Sequence, residues 1–231
     1  EDQQIINSEI SFKNKINFKN VDFKYNENQK VFENLNVEIK KNDFIGIVGE
    51  SGSGKSTFIN LLCGLLIPTK GEILIDEYNV NNSSINLRKL IGYVPQKIFL
   101  VDGSVKSNVA LGIENYSIDR IQKLIEESNF AKFIEDLPNG IETEIGEDGN
   151  RLSIGQKQRL NILRALYNDP EILIFDESTS ALDADNERYF LKLIEEFKSK
   201  KTIIFITHKK ELLSLFDKIY EIKENNFSRI K

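Results

Sequence analysis

The chain has 231 residues, 40% hydrophobic and 29% charged, enough apolar material to build the core of a soluble globular protein of one or two domains. Its formal charge of −5 gives no net basic character and so argues against nucleic acid as the main partner. The longest apolar stretch, 58–67, is about half a membrane span and is interrupted by Asn60.

The sequence begins at Glu1 and contains no methionine, so it reads as a piece of a longer polypeptide; no signal-peptide pattern is evident. Residues 1–15 are polar and read as a loose lead-in. Ile16, Phe18, Val21, Phe23 and Tyr25 form a broken period-two pattern. Leu35, Val37 and Ile39 alternate with Asn36, Glu38 and Lys40. Both stretches predict half-buried strands of an antiparallel sheet.

Residues 44–48 are a short, largely apolar run of the kind a buried strand needs. The next eight, Gly49-Glu50-Ser51-Gly52-Ser53-Gly54-Lys55-Ser56, fit a phosphate-binding loop: a glycine, four residues, then Gly-Lys-Ser. Glycines let the backbone approach phosphates closely, and the first turn of a helix offers unpaired N–H groups to an anion. Lys55 can reach the terminal phosphates, and the Ser56 hydroxyl can ligate Mg²⁺. A buried helix is predicted over 57–66, using Phe58, Ile59, Leu61, Leu62, Leu65 and Leu66. The single Cys63 falls in it, cannot form an internal disulfide, fits a reducing compartment and reads as a packed, inert thiol.

Strands follow at 71–75 and 91–94, with a short helix near 85–89 between them. After Pro95 the spacing is mostly helical from 104 to 167. Ser117 reads as an N-cap for a helix carrying Ile118, Ile121, Leu124 and Ile125, continued by Phe130, Phe133 and Ile134. Pro138-Asn139-Gly140 is a turn, and a second helix is predicted from about 153 to 167, stopping before Asp169-Pro170. Buried strand runs return at 172–175 and 203–206, with a helix at 186–197 between them. The end of the chain reads as a hairpin turning at Asn225-Asn226.

The run Ile172-Leu173-Ile174-Phe175-Asp176-Glu177 sets two carboxylates at the end of a buried strand. In a parallel α/β sheet that is the edge where a phosphate loop opens. Asp176 can hold Mg²⁺ directly or through water, and Glu177 can orient and deprotonate an attacking water. His208, the only histidine, follows a third buried strand, where it could reach a γ-phosphate or hold Glu177.

With these pieces assembled, residues from about 16 to 231 resemble the nucleotide-binding domain of an exporter-type ABC transporter. The motifs recur in that family's order. Tyr25 matches the aromatic that stacks on adenine, and residues 49–56 match the Walker A loop. Gln96 matches the Q-loop glutamine, which senses Mg²⁺ and the membrane part. Leu152-Ser153-Ile154-Gly155-Gln156 matches the signature. Asp176 and Glu177 match Walker B and the catalytic glutamate, Ser180-Ala181-Leu182-Asp183 the D-loop, and His208 the switch histidine.

The resemblance implies a mixed α/β fold: a P-loop NTPase core of RecA-like type, a small antiparallel β-subdomain and an inserted α-helical subdomain at about 97–167. It implies ATP and Mg²⁺ as ligands. Catalysis would fall to Glu177, His208, Lys55 and Gln96. Tyr25, Gly49, Glu50, Ser51, Gly52, Ser53, Gly54, Lys55, Ser56, Thr57 and Gln96 would contact ATP, together with Ser153, Gly155, Gln156 and Asp183. Ser56, Gln96 and Asp176 would hold the metal. The implied partners are a transmembrane domain reached through residues 1–15 and a second copy in an ATP-dependent head-to-tail dimer, with no nucleic acid. The implied location is the cytoplasmic face of the inner cell membrane. Residues 143–149, with Glu147, and 99–105 look exporter-like, and a lipid, lipid-linked sugar or polysaccharide is the favoured cargo class.

The sequence departs from the family at Ile154, where glycine is usual. A branched side chain narrows the backbone there and adds bulk, but Ser153, Gly155 and Gln156 remain, so a working site is expected, with slower hydrolysis or weaker dimerisation as the effect Ile154 could have. A soluble ABC ATPase of the repair or translation type is the rival reading. However, only 97 positions separate Lys55 from Leu152, with no coiled-coil heptads between them, and the chain carries one cassette rather than two. A non-hydrolysing structural ABC domain would lack Glu177 or His208. A GTPase would need an Asn-Lys-x-Asp motif, which is absent.

Overall fold

The computed structural model describes residues 11–82, 86–179 and 182–231. In chain order the elements are β1 (Lys15–Asn26), β2 (Gln29–Lys40), β3 (Phe44–Gly49), α1 (Lys55–Leu62), β4 (Lys70–Ile75), β5 (Tyr78–Asn79), α2 (Leu87–Leu90) and β6 (Ile91–Val94). They continue with α3 (Val105–Val109), α4 (Ile118–Glu127), α5 (Ala131–Glu135), α6 (Ile154–Leu166), β7 (Ile172–Asp176), α7 (Ala184–Phe197), β8 (Thr202–Ile206), β9 (Lys218–Lys223) and β10 (Asn226–Arg229).

The strands form two sheets. One is antiparallel, in the order β2-β1-β4-β5. The other runs β10-β9-β3-β8-β7-β6 and is parallel from β9 to β6, with β10 added antiparallel at one edge. The central strands β7 and β8 are buried at every position, which is why they read as unbroken apolar runs. One core cluster lies between α1, the antiparallel sheet and one face of the parallel sheet. The other joins the opposite face to α3–α7.

The broken alternation of β1 has a physical cause. Ile16 and Phe18 pair with Ile39 and Val37; the register then shifts, and Val21 pairs with Leu35. Asn20 and Asn34 take left-handed backbone conformations at this irregularity, so the apolar phase slips by one without turning the strand's buried face outward. Gly71 of β4 fits against it, where a Cβ would fall 2.3 Å from the carbonyls of Lys19 and Asn20.

Several expectations are corrected. The helix after the phosphate loop starts at Lys55 and ends at Leu62 rather than running over 57–66. Gly64 is left-handed, Gly64 N–H bonds to Leu61 O, and Leu65 N–H bonds to Asn60 O, a glycine-terminated Schellman stop. Leu65, placed in the core from sequence, is 70% exposed. Likewise Phe130, Phe133 and Ile134 do not continue α4. Asn129 takes φ 57°, Phe130 N–H closes on Ile125 O, and a separate α5 begins.

The final hairpin turns at Glu224-Asn225, both at positive φ, one residue earlier than predicted. The short helix near 85–89 is α2, at 87–90; Ile85 lies outside the described residues. The lead-in is not loose at its end, because Phe12 is fully buried. Its N–H bonds to Glu171 Oε1 at 2.8 Å, its carbonyl accepts from Lys41, and the Asp76 carboxylate accepts from the N–H groups of Lys13, Asn14 and Lys15. Residues 1–10 of that segment lie outside the described residues.

Candidate functional site

β3, β8, β7 and β6 lie side by side and parallel, so their C-terminal ends open at one edge. The glycine loop leaves β3 there, Glu177 follows β7, Thr207 and His208 follow β8, and Pro95 and Gln96 follow β6. Topology alone therefore gathers four sequence-distant segments. Their side chains line a cleft of about 360 Å³ formed by Tyr25, Gln29, Val31, Ser51, Gly52, Gly54, Lys55, Ser56, Thr57, Gln96, Glu177 and His208.

The loop is built for close approach. Gly54 sits at φ 111°, and a Cβ there would fall 2.7 Å from Val31 Cγ1; a Cβ at Gly49 would fall 2.6 Å from both Ile222 O and Ser53 Oγ. Lys55 opens α1, and its buried Nζ donates to Gly49 O at 2.9 Å and Glu50 O at 2.8 Å. Burial holds this ammonium below the usual lysine range, partly offset by the Glu177 and Asp176 carboxylates. Ser53 Oγ is buried with no hydrogen-bond partner in the protein.

The carboxylates are organised differently from each other. Asp176 is buried at the end of β7, and Tyr93 Oη donates to its Oδ2 at 3.0 Å. Burial raises the Asp176 pKa, the Tyr93 bond opposes the rise, the neighbouring Glu177 adds to it and Lys55 opposes it. Glu177 stands at φ 46°, a sparsely populated conformation for a non-glycine residue, with its N–H on Ile206 O. Gln96 Nε2 donates to its Oε2 at 2.7 Å, and His208 Nε2 lies 2.6 Å from its Oε1. Both oxygens of Glu177 are therefore engaged by residues from neighbouring strand ends. At the mouth, Tyr25 Oη and Thr57 Oγ1 are hydrogen-bonded at 3.1 Å. Phe23 braces the Tyr25 ring edge-on at 5.0 Å, leaving the half-exposed ring available for stacking.

These groups suit a polyphosphate with a hard cation. A buried ammonium, an orphaned buried hydroxyl and the backbone N–H groups of the loop are donors of the kind an anion takes. Ser56, Asp176 and Gln96 offer oxygen donors of the kind a hard cation takes.

The remaining predicted residues do not line this cleft. Ser153, Gly155 and Gln156 lie in the first turn of α6. There, Gln156 N–H donates to Ser153 Oγ at 3.3 Å and Ser153 N–H donates to Gln156 Oε1 at 2.9 Å, a capping box. Ile154 is 57% exposed, and its backbone is not among the left-handed positions, so glycine's special conformations are not needed there. Asp183 caps α7. Ser180 and Ala181 of the D-loop lie outside the described residues. Glu147 sits in an exposed 3₁₀ turn and Phe99 is strongly exposed. The Cys63 thiol is pushed up to about 12 by burial, in keeping with an inert role.

Tyr93 was not singled out from the sequence. Its signal was parity: β6 pairs Tyr93 with Ile174 in β7, so its side chain falls on the face shared with Asp176 two residues on. Lys209 was also missed; its Nζ donates to Thr179 O at 3.1 Å and Glu187 Oε1 at 2.6 Å, tying the segment after His208 to α7.

The sequence model of the ABC transporter family matches residues 32–180. The chain is 43% identical over 197 residues to a putative export ATP-binding/permease protein of Rickettsia felis, covering 84% of this chain and 34% of that protein. It is 41% identical over 206 residues to the leukotoxin translocation ATP-binding protein LktB of a Pasteurella haemolytica-like species, covering 88% and 29%. A solved bacterial Atm1-family ABC exporter with ATP bound superposes with TM-score 0.84 at 34% identity, covering 94% of this chain and 38% of the other. The chain thus spans about a third of the length of the proteins it matches. Among its described residues no helix is long and apolar enough to cross a membrane.

Proposed function

The chain belongs to the ABC transporter family, and from that premise we propose that it is the ATP-hydrolysing domain of an exporter or flippase. Residues 1–15 would link it to a transmembrane domain, residues 16–231 would form the ATP-binding domain at the cytoplasmic face of the inner cell membrane, and about 97–167 would form its helical subdomain. The observation that carries the reading is the Gln96–Glu177–His208 constellation, set at the strand edge where the glycine loop and buried Lys55 also open. Gln96 and His208 hold both carboxylate oxygens of Glu177 beside the glycine loop, which supports hydrolysis over binding alone.

Tyr25 would stack on adenine, and the loop from Gly49 to Thr57 would wrap the phosphates with backbone N–H groups. Lys55 would exchange its two carbonyl acceptors for phosphate oxygens. Ser56, Asp176 and Gln96 would hold Mg²⁺, which supplies charge neutralisation on the β- and γ-phosphates when bound. Glu177 would free one oxygen from its present donor to accept the proton of an in-line water, while His208 turns to the γ-phosphate. The N-terminal turn of α6 lies outside the cleft, which suits completion of a second copy's site: Ser153 and Gln156 would meet the partner's γ-phosphate, with Asp183 beside them.

Replacing Glu177 with Gln keeps shape and hydrogen bonding but removes the base. The variant is expected to bind Mg-ATP and lose turnover by roughly 10²-fold or more, as removal of a general base does. Hydrolysis at the parent rate would take Glu177 out of that role.

A further inference from the structure

The first turns of α6 and α7 meet at one point. Gly155 is the second residue of α6, and a Cβ there would fall 2.8 Å from Cγ and Oδ1 of Asn186 and 2.9 Å from its Nδ2. Gly155 is not at positive φ, so its backbone needs no glycine. What the position requires is the absence of a side chain on the face turned to Asn186.

Asn186 is not free to swing away. Its Nδ2 donates to Asp183 Oδ2 at 2.8 Å, its Oδ1 accepts from Arg159 Nη2 at 3.3 Å, and its own N–H donates to Asp183 Oδ1 at 2.8 Å, capping α7. Arg159 is held in turn over the ring of Tyr189, 4.7 Å from its centroid, and Tyr189 Oη donates to Asn129 O at 2.7 Å. The amide is thereby fixed against the glycine from two sides.

We propose that Asn186 is a positioning residue that locks Asp183 and the first turn of α6 into one rigid unit. Gly155 is glycine because of this packing, not because a phosphate must approach it. The proposal rests on the paired-domain reading for what the unit does: it presents the α6 N-terminus and Asp183 together to a second copy. It keeps α6 as the phosphate-facing element and changes only the reason for the glycine. A methyl group at 155 displaces Asn186, strips Asp183 of one of its two Asn186 bonds and loosens the orientation of α6 against α7. Overpacking of this kind weakens the process that depends on it by roughly tenfold.

The test uses Gly155→Ala, Asn186→Ser and the double variant, all in the Glu177→Gln background, with two readouts. The first is hydrogen exchange of the first-turn amides of α7 in the monomer without nucleotide. The second is pairing driven by Mg-ATP, followed by sedimentation. Gly155→Ala alone is expected to speed exchange at residues 184–187 and weaken pairing roughly tenfold. Adding Asn186→Ser, whose shorter side chain makes room, is expected to return both readouts to the level of Asn186→Ser alone. The proposal is overturned if Gly155→Ala leaves α7 exchange unchanged, or if the effects of Gly155→Ala and Asn186→Ser add in the double variant, because the glycine then acts independently of Asn186. If the Glu177→Gln parent itself does not pair with Mg-ATP, the paired-domain reading falls, while the exchange data still decide the packing.

Discussion

Two buried charges at the strand edge, Lys55 and Asp176, are each held in a form that burial disfavours. For Asp176 the folded pKa lies above the ordinary 3.8, so between that value and the raised one the native protein binds a proton that the unfolded chain does not. Stability from this group therefore rises as pH falls through the raised pKa, and the ionised form is a net cost above it. Asp176→Asn is expected to raise the Tm of the domain at neutral pH and to flatten its pH dependence in that window. Calorimetry across pH checks it; a lower Tm at neutral pH would show that the charge is already compensated. Tyr93 acts on the same carboxylate by holding Oδ2, which would steady Asp176 toward the proposed Mg²⁺. Tyr93→Phe is expected to leave ATP affinity in EDTA unchanged and to reduce the gain in affinity that Mg²⁺ brings by about tenfold, as loss of such a supporting bond does. An equal loss with and without Mg²⁺ would mark Tyr93 as merely structural. The residue types at this site were legible in the sequence because each motif is contiguous. The Tyr93 bond was not, because it depends on which strand lies beside β7.

At the scale of elements, the sequence told strands from helices well and helix ends poorly. β7 and β8 were legible because their burial on both faces leaves unbroken apolar runs. The ends of α1 and α4 were misjudged because apolar residues, Leu65, Leu66 and Phe130, follow each stop. The stop itself is set by a single left-handed residue, Gly64 or Asn129, whose conformation periodicity does not report. The link between α3 and α6 is a further element-level feature. Arg164 is half-buried, and its partial burial lowers its pKa to about 10; it donates to Asn108 O, Asn108 Oδ1 and Phe99 O without a carboxylate among these partners. Asn108 is wholly buried, accepts from Val101 N–H and donates to the carbonyls of Val101 and Ser104. It thus fastens the segment after Gln96 to the helix that begins at the signature. Asn108→Ala strands a guanidinium hydrogen of Arg164 together with the N–H and the carbonyl of Val101, and is expected to destabilise the domain by about 2–4 kcal/mol in urea unfolding. A loss below ~0.5 kcal/mol would mean that water replaces those bonds.

Across the whole molecule, the functional residues fall into two groups that share no cleft. One group is gathered by the parallel strand edge around the glycine loop. The other lies at the starts of α6 and α7, with Ser153 and Ile154 exposed. A single copy therefore holds a phosphate cradle without its covering helix, and a helix N-terminus without a phosphate. Under the proposed head-to-tail pairing each would supply what the other lacks, and motifs far apart in sequence would belong to one reaction. The resemblance implied this division, whereas the Asn186 contact was not legible, because it lies between two helices with no shared sequence pattern. The most direct measurement is the sedimentation of the Glu177→Gln variant with Mg-ATP, with Mg-ADP and with ATP in EDTA. The account predicts a stable pair with Mg-ATP and monomers in the other two conditions. A Glu177→Gln protein that binds Mg-ATP at Lys55 yet stays monomeric at every concentration would contradict it.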